Sequence, residues 1–206
     1  MGENWLQTLT ELVGINNIGA WTHAYLKASV DASLAGEDIE TDLALASIKF
    51  YIALGTGLVN QDQYFLAEKC FETAQQKYES LEPSALTPLD AGNLYKLRLE
   101  SLAELSGQTM SIASQFLSRV CIGKDGPEFS EDCEMHNANV GLEYIIVARS
   151  YADKALEVFE KAIDRGVGFG SWDKEQILSG IRELNEAGRY WIEPLDRTDL
   201  VEKFTM

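Results

Sequence analysis

Two cysteines and a histidine, Cys121-x11-Cys133-x2-His136, stand among Glu131, Asp132 and Glu134, and thiolates with an imidazole at such intervals can hold Zn²⁺. A structural zinc site ordinarily presents two close ligand pairs. Here Cys133 and His136 form a single pair, so the fourth ligand would have to be a carboxylate. The plainer alternative puts Cys121 at the end of a buried helix face, and Cys133 with His136 in a solvated loop and helix start. A Cys121–Cys133 disulfide would pin the intervening loop, but it needs an oxidising compartment. With Cys70 the cysteines are odd in number, and the opening residues Met1–Trp5 lack the basic and apolar regions of a secretory signal. Free thiols in a reduced, cytoplasmic setting are therefore expected, with no metal bound.

Other chemistry is thinly supported. His23 lies in Trp21-Thr22-His23-Ala24-Tyr25-Leu26 on a predicted helix, with no nucleophile or carboxylate motif beside it. The chain has no G-x-S-x-G, H-E-x-x-H or P-loop sequence, so no catalytic residue is assigned and no enzymatic activity is expected. The run Gly166-Val167-Gly168-Phe169-Gly170-Ser171 suggests a phosphate cradle, but it follows a helix and carries no lysine. It reads better as a helix C-cap and connector, and no cofactor is implied. The formal charge of −16 repels phosphate backbones and anionic lipid, which speaks against nucleic-acid and membrane partners. Uninterrupted apolar runs such as Tyr144–Ala148 are far shorter than the roughly 20 residues that span a bilayer.

The elements that would carry these residues are helices. Apolar residues recur at three- and four-residue intervals nearly end to end, and period-2 alternation is almost absent, so the fold class is all-α. Gly36, Gly107, Gly166 and Gly188 fall where left-handed residues end helices. Thr87-Pro88 reads as an N-cap followed by proline at the first helical position, and Ser171 as a second N-cap. These marks predict helices over 3–13, 20–35, 41–59, 62–80, 88–106, 109–121, 136–149, 151–165 and 172–187, with a short one near 198–204. Short connections make consecutive helices antiparallel neighbours within a single domain, 1–206. An inserted loop at 122–135 and a C-terminal tail at 188–206 complete it. Trp5, Trp21, Tyr190 and Trp191 would cap the two ends of the core, and Trp191-Ile192-Glu193-Pro194-Leu195 would pack on its own domain.

Residues 51–83 carry Tyr51-x2-Leu54-Gly55-x2-Leu58, Tyr64, Ala67-x3-Phe71, Ala74 and Pro83. The order and spacing resemble one tetratricopeptide repeat (TPR), with Tyr51 in the tryptophan slot and Leu58 in the tyrosine slot. Gly55 and Ala67 are small where two helices would cross, and Tyr64 and Phe71 fill the space beside them. Leu142, Ile146, Ala155-x3-Phe159 and Ala162 resemble a second, degenerate repeat, and Leu99, Ala103, Gly107, Ile112 and Phe116 fit loosely between. The resemblance implies hairpins stacked as a right-handed superhelix, the alternative being an irregular α-helical bundle.

It also implies a function. Such repeats bind a peptide along the face lined by the first helix of each pair, here Lys49, Ile52, Thr56, Val59 and Asn60, then Asn137, Val140 and Tyr144. The expected role is a protein-binding adaptor or chaperone for a basic or amphipathic segment of a partner, since the surface is acidic. The alternatives are a structural subunit of a larger assembly, such as a virion or secretion machine, and a metal-dependent enzyme.

Overall fold

The computed structural model describes Lys27 and residues 40–123, 126–129, 132–168 and 172–205. The helices expected over 3–13 and 20–35, with Trp5, Trp21, His23 and Gly36, lie outside the described residues, as do Glu131 and Ser171. The described chain is all-α: α1 (Glu40–Val59), α2 (Tyr64–Glu79), a 3₁₀ turn at Pro83–Ala85, α3 (Pro88–Leu117), α4 (Asp132–Asp164), α5 (Lys174–Ile192) and a 3₁₀ segment at Thr198–Phe204. A hairpin of two-residue strands, β1 (Ile122–Gly123) and β2 (Gly126–Pro127), precedes α4 and pairs Ile122 with Pro127.

The first two helices fall where the periodicity puts them. Farther on, 88–106 and 109–121 are one helix, as are 136–149 and 151–165, so neither later stretch forms a hairpin. Gly107 sits inside α3 with open space around it, where a glycine costs only about 1 kcal/mol and does not stop a helix. No proline follows it, and the Thr109 hydroxyl donates to the Leu105 carbonyl at 2.6 Å across that turn. Gly188 likewise lies inside α5; a Cβ there would overlap the Phe204 ring, so its smallness serves packing. The expected loop at 122–135 shrinks to the strand hairpin because α4 already begins at Asp132.

Helix ends follow local chemistry. Thr87 Oγ1 accepts from the Asp90 N–H at 3.1 Å and donates to Asp90 Oδ2 at 2.9 Å, a reciprocal cap with Pro88 opening α3. Asp173 caps α5, accepting from the Glu175 N–H at 3.0 Å. Three exits share one pattern. Gln63 N–H bonds the Leu58 carbonyl while Asp62 N–H bonds that of Val59; Val167 and Gly166 do the same to Ala162 and Ile163, and Arg197 and Asp196 to Ile192 and Glu193. The left-handed residue is Gly166 at the second exit but Asp62 (φ 57°) and Asp196 (φ 53°) at the others, where glycine carries no steric cost. Asp62→Gly is expected to stabilise the fold by about 0.5–1 kcal/mol, raising Tm by roughly 1–4 °C. A Tm that falls in a thermal melt would contradict this.

The described residues form two compact units, one within Met1–Ser101 and Ala162–Gly170, the other within Leu102–Lys161 and Ser171–Met206. In the first, Ile48, Ala67, Phe71, Ala74, Tyr78, Leu94, Tyr95 and Leu99 are buried. In the second, Ala113, Ala138, Leu142, Ile145, Trp191, Ile192, Leu195 and Phe204 make one core cluster. Trp191 and Leu195 thus pack on their own unit, as expected, whereas Tyr190 is exposed.

Candidate functional site

In the first unit α1 and α2 pack along their length. Gly55 is the point of closest approach: a Cβ there would lie 2.6 Å from the edge of the Phe71 ring. Ile52 and Val59, three residues before and four after Gly55, share its side of the helix. These two residues, expected to face a partner, therefore flank the contact with α2. Lys49, Thr56 and Asn60, seven and four residues apart, form a separate stripe; the first two are half-buried and Asn60 is exposed. The Thr56 hydroxyl donates to the Ile52 carbonyl at 2.8 Å, so its methyl is the part left to meet a ligand.

Most of α1 is half-exposed although it is apolar. Over Thr41–Val59 the mean hydropathy is 1.4 and 22% of the stretch is buried, with Asp42 and Lys49 its charged residues. By length and composition it could cross a membrane, against the expectation that no stretch reaches that size. Gly, Ser and Thr interrupt α1 without lowering its hydropathy much, so it contains no long unbroken apolar run.

The other side of α2 is locked to α3 through Arg98, which sequence reasoning did not single out. Its Nη2 donates to Glu68 Oε1 at 3.0 Å and Glu72 Oε1 at 3.1 Å, and its Nη1 to Gln75 Oε1 at 2.8 Å. Arg98, Glu68 and Gln75 are all buried. Gln75 Nε2 donates to Glu79 Oε1 at 2.6 Å, and the Tyr95 hydroxyl reaches the same oxygen at 3.4 Å. Lys69 closes the outside of the cluster; its hydrogen bond to Glu72 holds its pKa above the usual lysine value. A signal existed, because Arg98 interrupts the apolar series Leu94, Tyr95, Leu99.

Burial, followed by the negative Glu79, pushes the Tyr95 phenol well above its ordinary value. The unfolded chain then loses this proton first. The stability that Tyr95 contributes is complete below about pH 10 and is lost as pH rises beyond it. Urea unfolding at stepped alkaline pH should show a decline that Tyr95→Phe flattens; an equally steep decline in the variant would contradict the assignment.

A cavity of about 380 Å³ opens in the same unit between the 83–88 turn, Tyr78 and residues 165–167. Arg165 lies 4.5 Å over the Tyr78 ring and donates to the carbonyls of Tyr78, Glu79 and Leu81 at the end of α2. Its charge is thus spent on carbonyls at the negative end of that helix. Gly166-Val167-Gly168 works as the exit of α4 and a close backbone approach, since a Cβ on Gly92 would meet the Gly168 carbonyl at 2.6 Å.

Asn137, Val140 and Tyr144 belong to α4 in the second unit. Asn137 is buried, with Nδ2 3.7 Å from Cys133 Sγ. Tyr144 is half-buried and stacks on Phe116 at 5.9 Å, with Arg119 over the other ring at 5.6 Å. The structure therefore joins Lys49, Thr56 and Asn60 on one stripe and puts this second group on another unit. Cys121, Cys133 and Cys70 are free thiols, and Cys121 is exposed rather than ending a buried face. The Glu134 carboxylate, accepting a hydrogen bond from the thiol, pushes the Cys121 pKa up. His136 is exposed on α4. Among the described residues no three of His, Cys, Asp and Glu converge in a group that could hold a metal, so Cys121, Cys133 and His136 are not gathered into the zinc arrangement that their spacing allowed. Arg149 was also missed: buried in α4, it donates to Asn185 Oδ1 at 2.8 Å and pairs with Asp153, and burial lowers its pKa.

No family model and no solved structure matches the chain. A curated protein that is similar is a DNA polymerase sliding clamp of Methanoregula boonei, 33% identical over 122 residues, which are 58% of this chain and 47% of that protein. The chain spans about half the length of this relative.

Proposed function

We propose that the chain is a helical docking module, an adaptor or chaperone, that binds a basic or amphipathic segment of a partner protein along α1. The observation that carries this is α1 itself, an apolar helix with 22% of its length buried on a chain of charge −16. An amphipathic helix laid on it would bury its apolar anchors against Ala53 and Thr56, while its basic face met acidic surface that speeds and orients encounter. The crossing at Gly55 and Phe71 is of the kind that a TPR-like hairpin needs, and supports reading α1 as the first, ligand-facing helix of a pair. On the other unit Val140 and Tyr144, both half-buried, offer a smaller second surface, while Asn137 is buried beneath it. Free thiols suit work in the cytoplasm.

Fluorescence anisotropy with a labelled synthetic peptide of alternating leucine and lysine turns tests it. Saturable binding is expected to weaken about tenfold or more in Thr56→Arg, which places a like charge and a bulky stem on the stripe, and to weaken with added salt. Binding of equal strength to Thr56→Arg would overturn the reading of this face.

A second reading rests on the relative. A protein named as a DNA polymerase sliding clamp favours service in an assembly around a polymerase and DNA. The chain's charge favours contact with the protein over the duplex. Filter binding to duplex DNA at low salt separates the two: retention would require a DNA contact, and its absence leaves the protein contact.

A further inference from the structure

The cavity beside Tyr78 has walls that are tied together. The Tyr78 hydroxyl donates to the Pro83 carbonyl at 2.9 Å, which fastens the 83–88 turn to α2. Arg165 fastens the exit of α4 to the same helix end through the carbonyls of Tyr78, Glu79 and Leu81. The reciprocal cap between Thr87 and Asp90 fixes the start of α3. The space of about 380 Å³ is therefore formed before any ligand arrives, and it is of the size that small-molecule sites have.

Its lining sorts by burial. Tyr78, Leu86, Ala91 and Val167 are buried and make an apolar floor, while Ser84 and Pro88 are exposed and stand at the mouth. Arg165 supplies the charge, and among the described residues no Asp or Glu lines the cavity. The acceptors of the guanidinium are main-chain carbonyls; a helix end offers only about half a unit of negative charge, so part of the cation is left uncompensated. Arg165 Nε is buried and donates to nothing, a state that costs free energy until an acceptor is supplied.

An apolar floor beside one under-compensated cation selects a ligand with an apolar body and a single anionic end. The chain's charge of −16 opposes this only weakly, because exposed charges farther off than about 8 Å are screened at physiological ionic strength. We propose that the cavity binds a small carboxylic acid as its anion, with a single ring or short chain against Leu86, Ala91 and Val167 and the carboxylate against Arg165. The site does not depend on what α1 binds.

NMR titration of the full chain tests it with phenylacetate, phenylacetamide and acetate as probes, followed at the Leu86 and Val167 amides and the Arg165 Nε–H. Phenylacetate is expected to shift all three saturably. Phenylacetamide, which lacks the charge, and acetate, which lacks the apolar body, should each bind about tenfold more weakly or worse. Ser84→Trp crowds the mouth from an exposed position and should weaken phenylacetate by about tenfold. Arg165→Gln should bind acid and amide alike. Equal binding of acid and amide by the wild-type chain would overturn the proposal, as would acetate as tight as phenylacetate, or Leu86 and Val167 unmoved at millimolar phenylacetate. Should Arg165→Gln not fold, the three probes on the wild-type chain decide the matter alone.

Discussion

Arg98→Met is expected to lower the unfolding free energy by about 3–5 kcal/mol, a large part of what a domain of this size possesses. Glu68, 2% exposed, would keep its charge inside the first unit and lose its buried counter-ion. Its other cation, Lys69, sits 3.6 Å from the second carboxylate oxygen and is 47% exposed, so solvent screens it. Gln75 would lose the acceptor role for Arg98 as well. Pairing the change with Glu68→Gln removes the stranded charge and should recover a good part of the loss, since breaking such a pair from one side costs more than removing both charges. Urea unfolding measures both. A single variant within about 1 kcal/mol of wild type would mean that Arg98 is not the counter-ion of Glu68.

Gly55→Val should cost about 1–3 kcal/mol or more, because it drives branched carbon into the edge of a ring that is itself fully buried. Phe71 has no solvent side to retreat to, so the helices must part. Phe71→Leu should suppress much of the effect, and the double-mutant cycle should be non-additive by more than about 0.5 kcal/mol. Simple addition of the two single losses would contradict the close crossing of α1 and α2. Because Thr56 follows Gly55 on the same helix, parting the helices would also shift the stripe proposed to bind a partner.

The parts of the fold that local chemistry decides were legible. The period of α1 and α2, the Thr87-Pro88 cap and the left-handed Gly166 each follow from residues within a few positions of one another. Gly107 and Gly188 misled because a glycine that ends a helix and one that makes room inside it are written alike. Only Phe204, sixteen residues on, explains Gly188. Arg98 and Arg149 stand out as charges in apolar series, but their partners lie on other helices, and sequence spacing does not name them. At the candidate site, seven- and four-residue spacing joined Lys49, Thr56 and Asn60. Ile52 and Val59 lie nearer to Gly55, which marks the contact face, and are half-buried like Lys49 and Thr56. Cys121, Cys133 and His136 belong to no metal-holding group among the described residues: the chain turns through β1 and β2 and gives Cys121 to Glu134.

Hydrogen exchange of the full chain, with and without a saturating basic amphipathic peptide, tests the docking claim most directly. Slowed exchange concentrated on the α1 peptides covering 49–60 is the predicted result. Saturation of the chain with no change there, and protection confined to α5 or the strand hairpin, would contradict it.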